Sequence, residues 1–192
     1  MKWSFAFVPL SLAAAVLAGC AWVPQKVSIA PQVQIPASDL GHAATVVVKV
    51  QDSRPNQRIG YRGMDSKLAQ IRTDQDLAPI FQQKIIEGLS RQGFKALPAS
   101  DGPARVLKVD IRELHYSTDT ELWQGTVRTR AAVQAYSRTE DTVYSRLYEA
   151  EREEKAIEAP GAKTNARLIN GAISDVLQRL LEDQKLIKML AD

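Results

Sequence analysis

The sequence predicts an α+β fold: a two-layer sandwich with a mainly antiparallel sheet and both helices on one face. Alternating apolar residues mark strands, and apolar residues at three- and four-residue spacing mark two helices. Three strands follow one another with only short polar links, which is typical of an antiparallel meander. The element order is therefore strand, helix, strand, three-strand meander, helix. A chain of 192 residues is long enough to bury one such core.

The first half of the domain is predicted as strand, helix and short strand. Valines alternate from Val46 to Val50, and β-branched residues favour a strand there. Asp76 provides a capping residue for a helix, and Gly93 is a natural stop signal after the apolar face of that helix. Residues 94–97 are predicted to form the short strand that follows.

The second half is predicted as three strands and a long helix. Alternating apolar residues place the strands at residues 104–116, 126–136 and 143–150, with polar turns between them. The last helix is predicted to begin near Thr164. Its apolar residues recur along one face, and a break is expected at residues 182–185.

The N-terminus contains the only cysteine of the chain, in LAAAVLAGC. Lys2 supplies a positive start, an apolar stretch follows, and small residues precede Cys20, which is the pattern of a secretory signal. Three alternatives are a buried core cysteine, a catalytic thiol, which needs a histidine partner, and a retained membrane-spanning helix. The last is long enough because residues 3–23 are uncharged, but Pro9 and the alanine-rich second half argue against it.

Residues 17–20, Leu-Ala-Gly-Cys, resemble the lipobox of bacterial lipoprotein signals at every position. The resemblance implies cleavage between Gly19 and Cys20, a diacylglycerol thioether on the Cys20 sulfur, and a fatty acid such as palmitate on the new amino group. In Gram-negative sorting, aspartate after the cysteine favours the inner membrane, and here that residue is Ala21. The resemblance therefore implies the periplasmic face of the outer membrane.

These features divide the chain into a cleaved signal peptide (residues 1–19), an acylated cysteine with an extended tether (residues 20–41), and a single periplasmic α+β domain (residues 42–192). Three prolines space the tether, and proline favours extended backbone. Alternating valines and isoleucines also allow part of the tether to lie along a sheet edge. We expect the hydrophobic core to lie entirely after the tether.

Several short motifs occur in order along the chain. They are the lipobox, the proline-spaced segment, VKVQDSRP at residues 48–55, Ile59-Gly60, a helix start at Asp76-Leu77 closed by Gly93-Phe94, and a C-terminal amphipathic helix. This combination resembles the YajG family of proteobacterial lipoproteins. The resemblance implies a small α/β domain on the periplasmic side. The family has no established activity, so the resemblance leaves the biochemical role open.

Composition and motifs exclude several kinds of function. With 25 basic and 22 acidic side chains, the net charge of +3 is too even for a nucleic-acid partner. Basic residues concentrate in residues 49–72 and acidic residues in residues 140–158, which favours solvated surfaces over the alternative of a dedicated binding patch. His42 and His115 have no histidine or cysteine at ligand spacing, so we expect no metal site and no cofactor. A hydrolase would need a strand-to-helix nucleophile elbow, which the sequence lacks.

Four aromatic residues form the candidate binding face: Tyr116, Trp123, Tyr144 and Tyr148. On an exposed sheet face they would suit a peptide or a glycan, and in a half-buried position they would serve strand packing instead. We expect a non-catalytic lipoprotein that binds or supports an envelope component. Its expected partners are the membrane and an envelope protein or peptidoglycan component. The alternative is an enzyme that acts on peptidoglycan fragments or lipid.

The substitution Cys20→Ser tests the lipid anchor. It removes the sulfur that carries the diacylglycerol, so we expect an uncleaved precursor without acyl chains, and loss of stable lipid-mediated attachment. Intact-mass measurement and membrane fractionation check this outcome. Ala21→Ser, which keeps the thiol, is the control and should be processed normally. An unchanged mass and membrane fraction in Cys20→Ser would rule the anchor out.

Overall fold

The computed structural model describes residues 24–62, 69–120, 125–139, 142–156 and 160–192. The predicted signal peptide (residues 1–19), Cys20, Ala21 and Trp123 lie outside these residues. The elements in chain order are β1 (Gln25–Lys26), β2 (Thr45–Asp52), β3 (Gly60–Tyr61), β4 (Gln70–Arg72), α1 (Leu77–Arg91), β5 (Lys95–Leu97), β6 (Arg105–Thr120), β7 (Gly125–Arg138), β8 (Val143–Ala156), α2 (Ala162–Leu181) and α3 (Gln184–Ala191).

The long strand β6 is the centre of a mixed sheet of eight strands. On one side it pairs with β7 in antiparallel register along nearly its whole length, and β8 continues the sheet beyond β7. On the other side, the first half of β6 pairs in parallel with β2, and Tyr116 in its second half pairs with Gly60 of β3. The strands β5, β4 and β1 complete these two branches. The whole sheet curls into a half-barrel.

The prediction of a two-layer sandwich with a mainly antiparallel sheet is wrong. The meander of β6, β7 and β8 is antiparallel, but β2 is parallel to both β5 and β6, and β1 is parallel to β4. The connection through α1 explains the first pairing, because a helical crossover returns the chain in the same direction. The predicted break at residues 182–185 is present and separates α2 from α3, so the described residues contain three helices.

Local signals fix the ends of the helices. The Asp76 side chain accepts a hydrogen bond from the main-chain N–H of Ala78 at 3.0 Å, so α1 begins at Leu77. After α1, Gly93 has a φ of +87°, a conformation that glycine adopts without strain. Asp183 caps α3 in the same manner as Asp76 caps α1. In the part of the chain that the structure describes, the helices lack the combination of length and apolar character that a membrane span requires.

The N-terminal segment contributes to the core of the domain. Val27, Ile29 and Ile35 are buried in the same cluster as the inner face of the sheet and the apolar faces of α1 and α2. The expectation that the core lies entirely after the tether is therefore wrong. An alternation of buried and exposed residues between Val27 and Ile35 shows that this stretch is extended with one side inward.

Helix α2 holds the N-terminal segment through a polar row of three side chains, Asn170, Ser174 and Gln178. Their spacing of four residues places one on each turn of the same helix face. Each accepts a hydrogen bond from a main-chain N–H group: Ala30 to Asn170 (2.7 Å), Gln32 to Ser174 (2.9 Å) and Gln34 to Gln178 (3.1 Å). Asn170 and Gln178 also donate to main-chain carbonyls of the segment at 2.9 Å. We call this arrangement the α2 clamp.

Removal of the N-terminal segment is expected to destabilise the domain. A chain that starts at Asp39 lacks the three buried aliphatic side chains, and each buried side chain of this size contributes about 1.5–3 kcal/mol. We expect its free energy of unfolding to fall by about 5 kcal/mol relative to a chain that starts at Ala21, measured by urea denaturation.

Two single substitutions provide a milder version of the same test. Ile29→Ala should lower the free energy of unfolding by about 2–4 kcal/mol, whereas Gln32→Ala, at an exposed position of the same segment, should change it by less than about 0.5 kcal/mol. Equal stability of the Ile29→Ala variant and the wild type would contradict the packing described above.

Candidate functional site

The outer face of the sheet, opposite the helices, carries a row of polar side chains across neighbouring strands. Lys49 of β2 lies beside Lys108 of β6, and Lys108 lies beside Tyr136 of β7. Both lysines are exposed, and Tyr136 is half-buried. Like charges at neighbouring positions of two strands repel each other, so this pair opposes folding in the absence of a counter-charge.

Apolar side chains lie next to this row on the outer face. Leu97 of β5 lies beside Val47, which lies beside Val106, and on the far strands Arg138 lies beside Val143. Val143 is 70% exposed and Leu97 is 42% exposed. The face therefore presents apolar surface and positive charge in adjacent rows.

A groove of about 1490 Å³ runs over this end of the sheet. Its lining includes four cationic residues, Lys49, Arg105, Lys108 and Arg138, and one carboxylate residue, Asp192. Among the residues that the structure describes, no ion pair joins any of the four cations to a carboxylate. Arg105 is held in place by a 3.1 Å hydrogen bond from its Nε to the carbonyl of Met189. We call this site the basic groove.

The basic groove has the chemistry of an anion-binding site. Lysine offers a point charge, and the guanidinium of arginine matches the geometry of a carboxylate or phosphate. The described lining contains no histidine. His42 and His115 are both exposed and lie outside the groove. Within the described ranges, no group of three or more His, Cys, Asp or Glu residues is arranged to hold a metal ion.

The structure corrects the predicted aromatic binding face. Tyr116 and Tyr148 are only 1% and 5% exposed, so they do not form a ligand-accessible surface. Burial raises the pKa of Tyr116 to about 12, and its hydroxyl donates to Asn165 Oδ1 at 2.8 Å. Tyr144 is half-buried at the edge of the basic groove. Trp123 lies outside the described residues.

A β-bulge explains why Tyr116 points inward. Leu107, Val109 and Ile111 alternate toward the core, and an unbroken alternation would place Tyr116 on the outer face. The pairing of β6 with β7 shifts between Ile111 and Glu113. A bulge adds one residue and so reverses the face of every residue after it. Leu114 and Tyr116 are buried as a result.

The hydroxyls of Tyr144 and Tyr148 are both hydrogen-bonded to a buried acid. They donate to Asp183 Oδ2 at 2.7 and 2.9 Å, and Arg146 Nη1 donates to the same oxygen at 2.5 Å. The other oxygen of Asp183 accepts from the main-chain N–H of Lys185 at 2.9 Å. This cluster joins β8 to the turn between α2 and α3, and we interpret it as structural.

Hydrogen bonding controls the charge state of Asp183. Its burial alone would raise the pKa, but hydrogen bonds from Tyr144, Tyr148 and two main-chain N–H groups outweigh burial and lower the pKa below its usual range. Burial, together with the hydrogen bonds to Tyr144 and Asp183, raises the pKa of Tyr148. The acid is therefore ionised and both phenols are neutral at neutral pH.

Sequence reasoning missed the basic groove as a site. It found the basic character of residues 49–72 and interpreted it as a solvated surface. What brings Lys49 against Lys108 is the parallel register of β2 and β6, and the antiparallel prediction did not contain this pairing. A strand–helix–strand order at residues 45–97 was the signal for a parallel crossover.

A half-barrel of mixed strands packed on helices, with an open basic groove over the end of the sheet where α3 finishes, defines a small mixed α/β domain. The chain belongs to the family described as uncharacterized lipoprotein, whose family model matches residues 31–191. The predicted resemblance to the YajG family is confirmed by this match and by the relatives below. The protein is thus a membrane-anchored lipoprotein of the envelope.

Individual relatives agree with this assignment. The chain is 25% identical over 121 residues to the uncharacterized lipoprotein YajG of Escherichia coli strain K12, a match that covers 62% of this chain and 59% of the relative. The YajG lipoprotein of Escherichia coli O6:H1 matches with the same identity and coverage. The match thus spans about three fifths of the length of these curated relatives.

Solved structures of low sequence identity are similar to this chain. A crystal structure of an uncharacterized protein is similar with a TM-score of 0.50 and 13% identity, covering 81% of this chain and 99% of the other. A putative neuraminyllactose-binding hemagglutinin homolog from Helicobacter pylori is similar with a TM-score of 0.44 and 11% identity, covering 85% and 96%. The first of these structures supports the fold of this chain and nothing beyond the fold.

The Asp183 cluster predicts a pH-dependent contribution to stability. Because the pKa of Asp183 is lowered on folding, its stabilising contribution is present above the unfolded pKa, near 4, and is lost as pH falls through the folded pKa. Asp183→Asn should lower the free energy of unfolding by about 2 kcal/mol at pH 7, and by clearly less at pH 3. Denaturant unfolding at both pH values measures the difference.

Asp175→Asn is the matched control for this test. Asp175 pairs with Arg152 at 2.7 Å, but both side chains are more than one third exposed. A surface pair of this kind contributes about 1 kcal/mol or less. An equal cost of Asp183→Asn at pH 7 and pH 3 would show that the charge of Asp183 does not stabilise the fold.

Proposed function

We propose that the protein is anchored through lipid on Cys20 to the periplasmic face of the outer membrane, and that its domain binds an anionic envelope component in the basic groove without catalysis. The observation that carries the binding proposal is the adjacent pair Lys49 and Lys108, which no carboxylate of the described residues neutralises. A bound anion would remove the repulsion between these two charges.

The surroundings of the lysine pair favour an extended ligand with both charged and apolar parts. Arg138 adds a guanidinium at the same end of the sheet, and Val143 and Leu97 add exposed apolar surface. Peptidoglycan offers this combination, because carboxylates and short alkyl groups repeat along its peptides. A peptidoglycan component is therefore the partner that we propose.

The composition of the groove supports binding over catalysis. A hydrolase acting on peptidoglycan fragments or lipid needs a general acid and a general base of unlike environment close to the ligand. The described lining offers one carboxylate residue, Asp192, and no histidine. The enzyme remains the alternative, and release of soluble fragments from peptidoglycan would identify it.

The proposed location depends on Ala21, which replaces the aspartate that retains lipoproteins in the inner membrane. Separation of inner and outer membranes on a density gradient tests it. A wild-type protein that bands with the inner membrane would refute the proposed location and leave the binding proposal intact.

Charge reversal in the basic groove tests the binding proposal. The full-length lipoprotein in detergent is mixed with purified peptidoglycan sacculi, and the bound fraction is measured after sedimentation. Lys49→Glu combined with Lys108→Glu should weaken binding at least about tenfold, or about 1.4 kcal/mol, because two attractive charges become repulsive. The single substitutions Lys49→Gln and Lys108→Gln should each cause a smaller loss.

Lys155→Glu is the matched control, because Lys155 is also exposed but lies at the opposite end of β8. It has the same change of charge and should bind like the wild type. Equal weakening by the control would show that only net charge matters, and unchanged binding by the double variant would refute the groove as the binding site.

A further inference from the structure

We propose that the α2 clamp fixes the orientation of the domain on the membrane. The end formed by β1, β3, β4 and the start of α2 faces an anionic phospholipid surface, and the basic groove faces away from it. This inference rests on the proposed lipid anchor at Cys20. It assigns a membrane-contacting surface and gives the anchored domain a definite direction.

The connection between the lipid and the domain is short. Only Ala21, Trp22 and Val23 separate Cys20 from Pro24, and β1 begins at Gln25. Five fully extended Cα–Cα steps span at most about 18 Å. The start of β1 must therefore stay within about 18 Å of the lipid-bearing residue, which leaves little freedom for the domain to turn over.

The place where the chain joins the domain is rigidly held. The Gln25 side-chain amide lies 2.7 Å from Nδ2 of Asn165, which is fully buried at the start of α2. Asn165 in turn accepts from the Tyr116 hydroxyl at 2.8 Å and donates to the Pro160 carbonyl at 3.1 Å. On the main chain, Gln25 pairs with Ile71 of β4.

Beyond this point, the α2 clamp prevents the N-terminal segment from peeling away and lengthening the connection. Three main-chain N–H groups would lose their partners if residues 28–34 left α2, and Val27, Ile29 and Ile35 would be exposed. Detachment is therefore opposed by the loss of apolar burial as well as by the loss of hydrogen bonds. The effective tether is the short connection and not the whole of residues 20–41.

The surface around this point has the charge that an anionic bilayer attracts. Lys26, Arg58, Arg72 and Lys163 are exposed there. The exposed acids beside them are Asp74, which pairs with Lys26 at 2.5 Å, and Asp76, the cap of α1. Each basic residue near an anionic membrane surface adds to the attraction. The Arg58 guanidinium lies 4.6 Å from the centre of the Tyr61 ring, which holds it at the surface.

The basic groove lies at the far end of the same strand. β6 begins at Arg105, in the groove, and Tyr116 of the same strand pairs with Gly60 near the proposed membrane surface. At about 3.3 Å per residue, these positions are about 35 Å apart along the strand. The orientation therefore presents the groove to the periplasm, where a partner in the cell wall is accessible.

Site-specific labels can measure this orientation directly. The chain has one cysteine, Cys20, whose sulfur would carry lipid, so an engineered cysteine is the only reactive thiol. Arg72→Cys places a bimane label at the proposed membrane surface, and Leu97→Cys places it near the groove. The full-length lipidated proteins are reconstituted in vesicles of phosphatidylethanolamine and phosphatidylglycerol that contain a lipid with a nitroxide on its headgroup.

We expect at least threefold stronger quenching of the label at residue 72 than of the label at residue 97. Substitution of phosphatidylcholine for phosphatidylglycerol should weaken quenching at residue 72, because the attraction to basic side chains is lost. Equal quenching at both positions, or stronger quenching at residue 97, would overturn the orientation.

A longer connection provides a control that does not alter the folded domain. A flexible Gly–Ser stretch of about fifteen residues between Val23 and Pro24 should abolish the difference between the two labels. An undiminished difference would show that the short connection does not set the orientation. Flotation of the vesicles separates the two proposals: protein that does not float refutes the lipid anchor, whereas protein that floats without a quenching difference refutes only the orientation.

Discussion

The fold depends on hydrogen bonds between the extended N-terminal segment and helix α2. A buried extended chain must find partners for its main-chain N–H and carbonyl groups, and within the described ranges no strand lies beside residues 28–34 to supply them. Helix α2 supplies them instead. Four residues of helix rise about 6 Å, and two residues of strand rise about 6.6 Å, so the two spacings nearly match. The side chains of the polar row Asn170, Ser174 and Gln178 therefore lie beside every second residue of the segment. The intervening residues can then point into the core.

The same helix has to fit closely against the sheet on its other faces. Gly171 lies where Arg152 of β8 crosses α2, and a Cβ at this position would come within 2.6 Å of the Arg152 Nη1 atom. The missing side chain lets Arg152 Nε reach Asp175 Oδ2 at 2.7 Å. Asp183, after the end of α2, accepts hydrogen bonds from three side chains of β8. Contacts on both sides therefore set the position and direction of α2. Through the α2 clamp they also set the position of the N-terminal segment.

The sequence predicts the long elements well because each carries its own periodic signal. The strand at β2, the meander, α1 and α2 follow from apolar spacing, and Asp76 and Gly93 mark the two ends of α1. Two-residue strands such as β1 and β3 have no period to detect, since they exist only through their main-chain partners. The bulge before Glu113 has no clear sequence signature either, and it reverses the face of Tyr116. The candidate site was missed for the same reason: Lys49 and Lys108 meet through register, which is a property of the sheet and not of either strand.

The two ends of the outer face of the sheet differ in how their charged side chains are paired. Toward the proposed membrane end, the arginines of β7 are neutralised across the strands: Arg128 pairs with Glu153 at 3.0 Å, and Arg130 pairs with Glu151. Toward the other end, Lys49 and Lys108 lie side by side, and no carboxylate of the described residues neutralises them. Opposite charges can pair across neighbouring strands of any sheet of this kind. Among the described residues this pairing is missing at one end, so that end differs from the rest of the same surface. An anion from outside the chain would complete that pattern. In the orientation proposed above, the α2 clamp keeps the other end of β6 near Cys20, and the uncompensated end is the one that a periplasmic partner would reach.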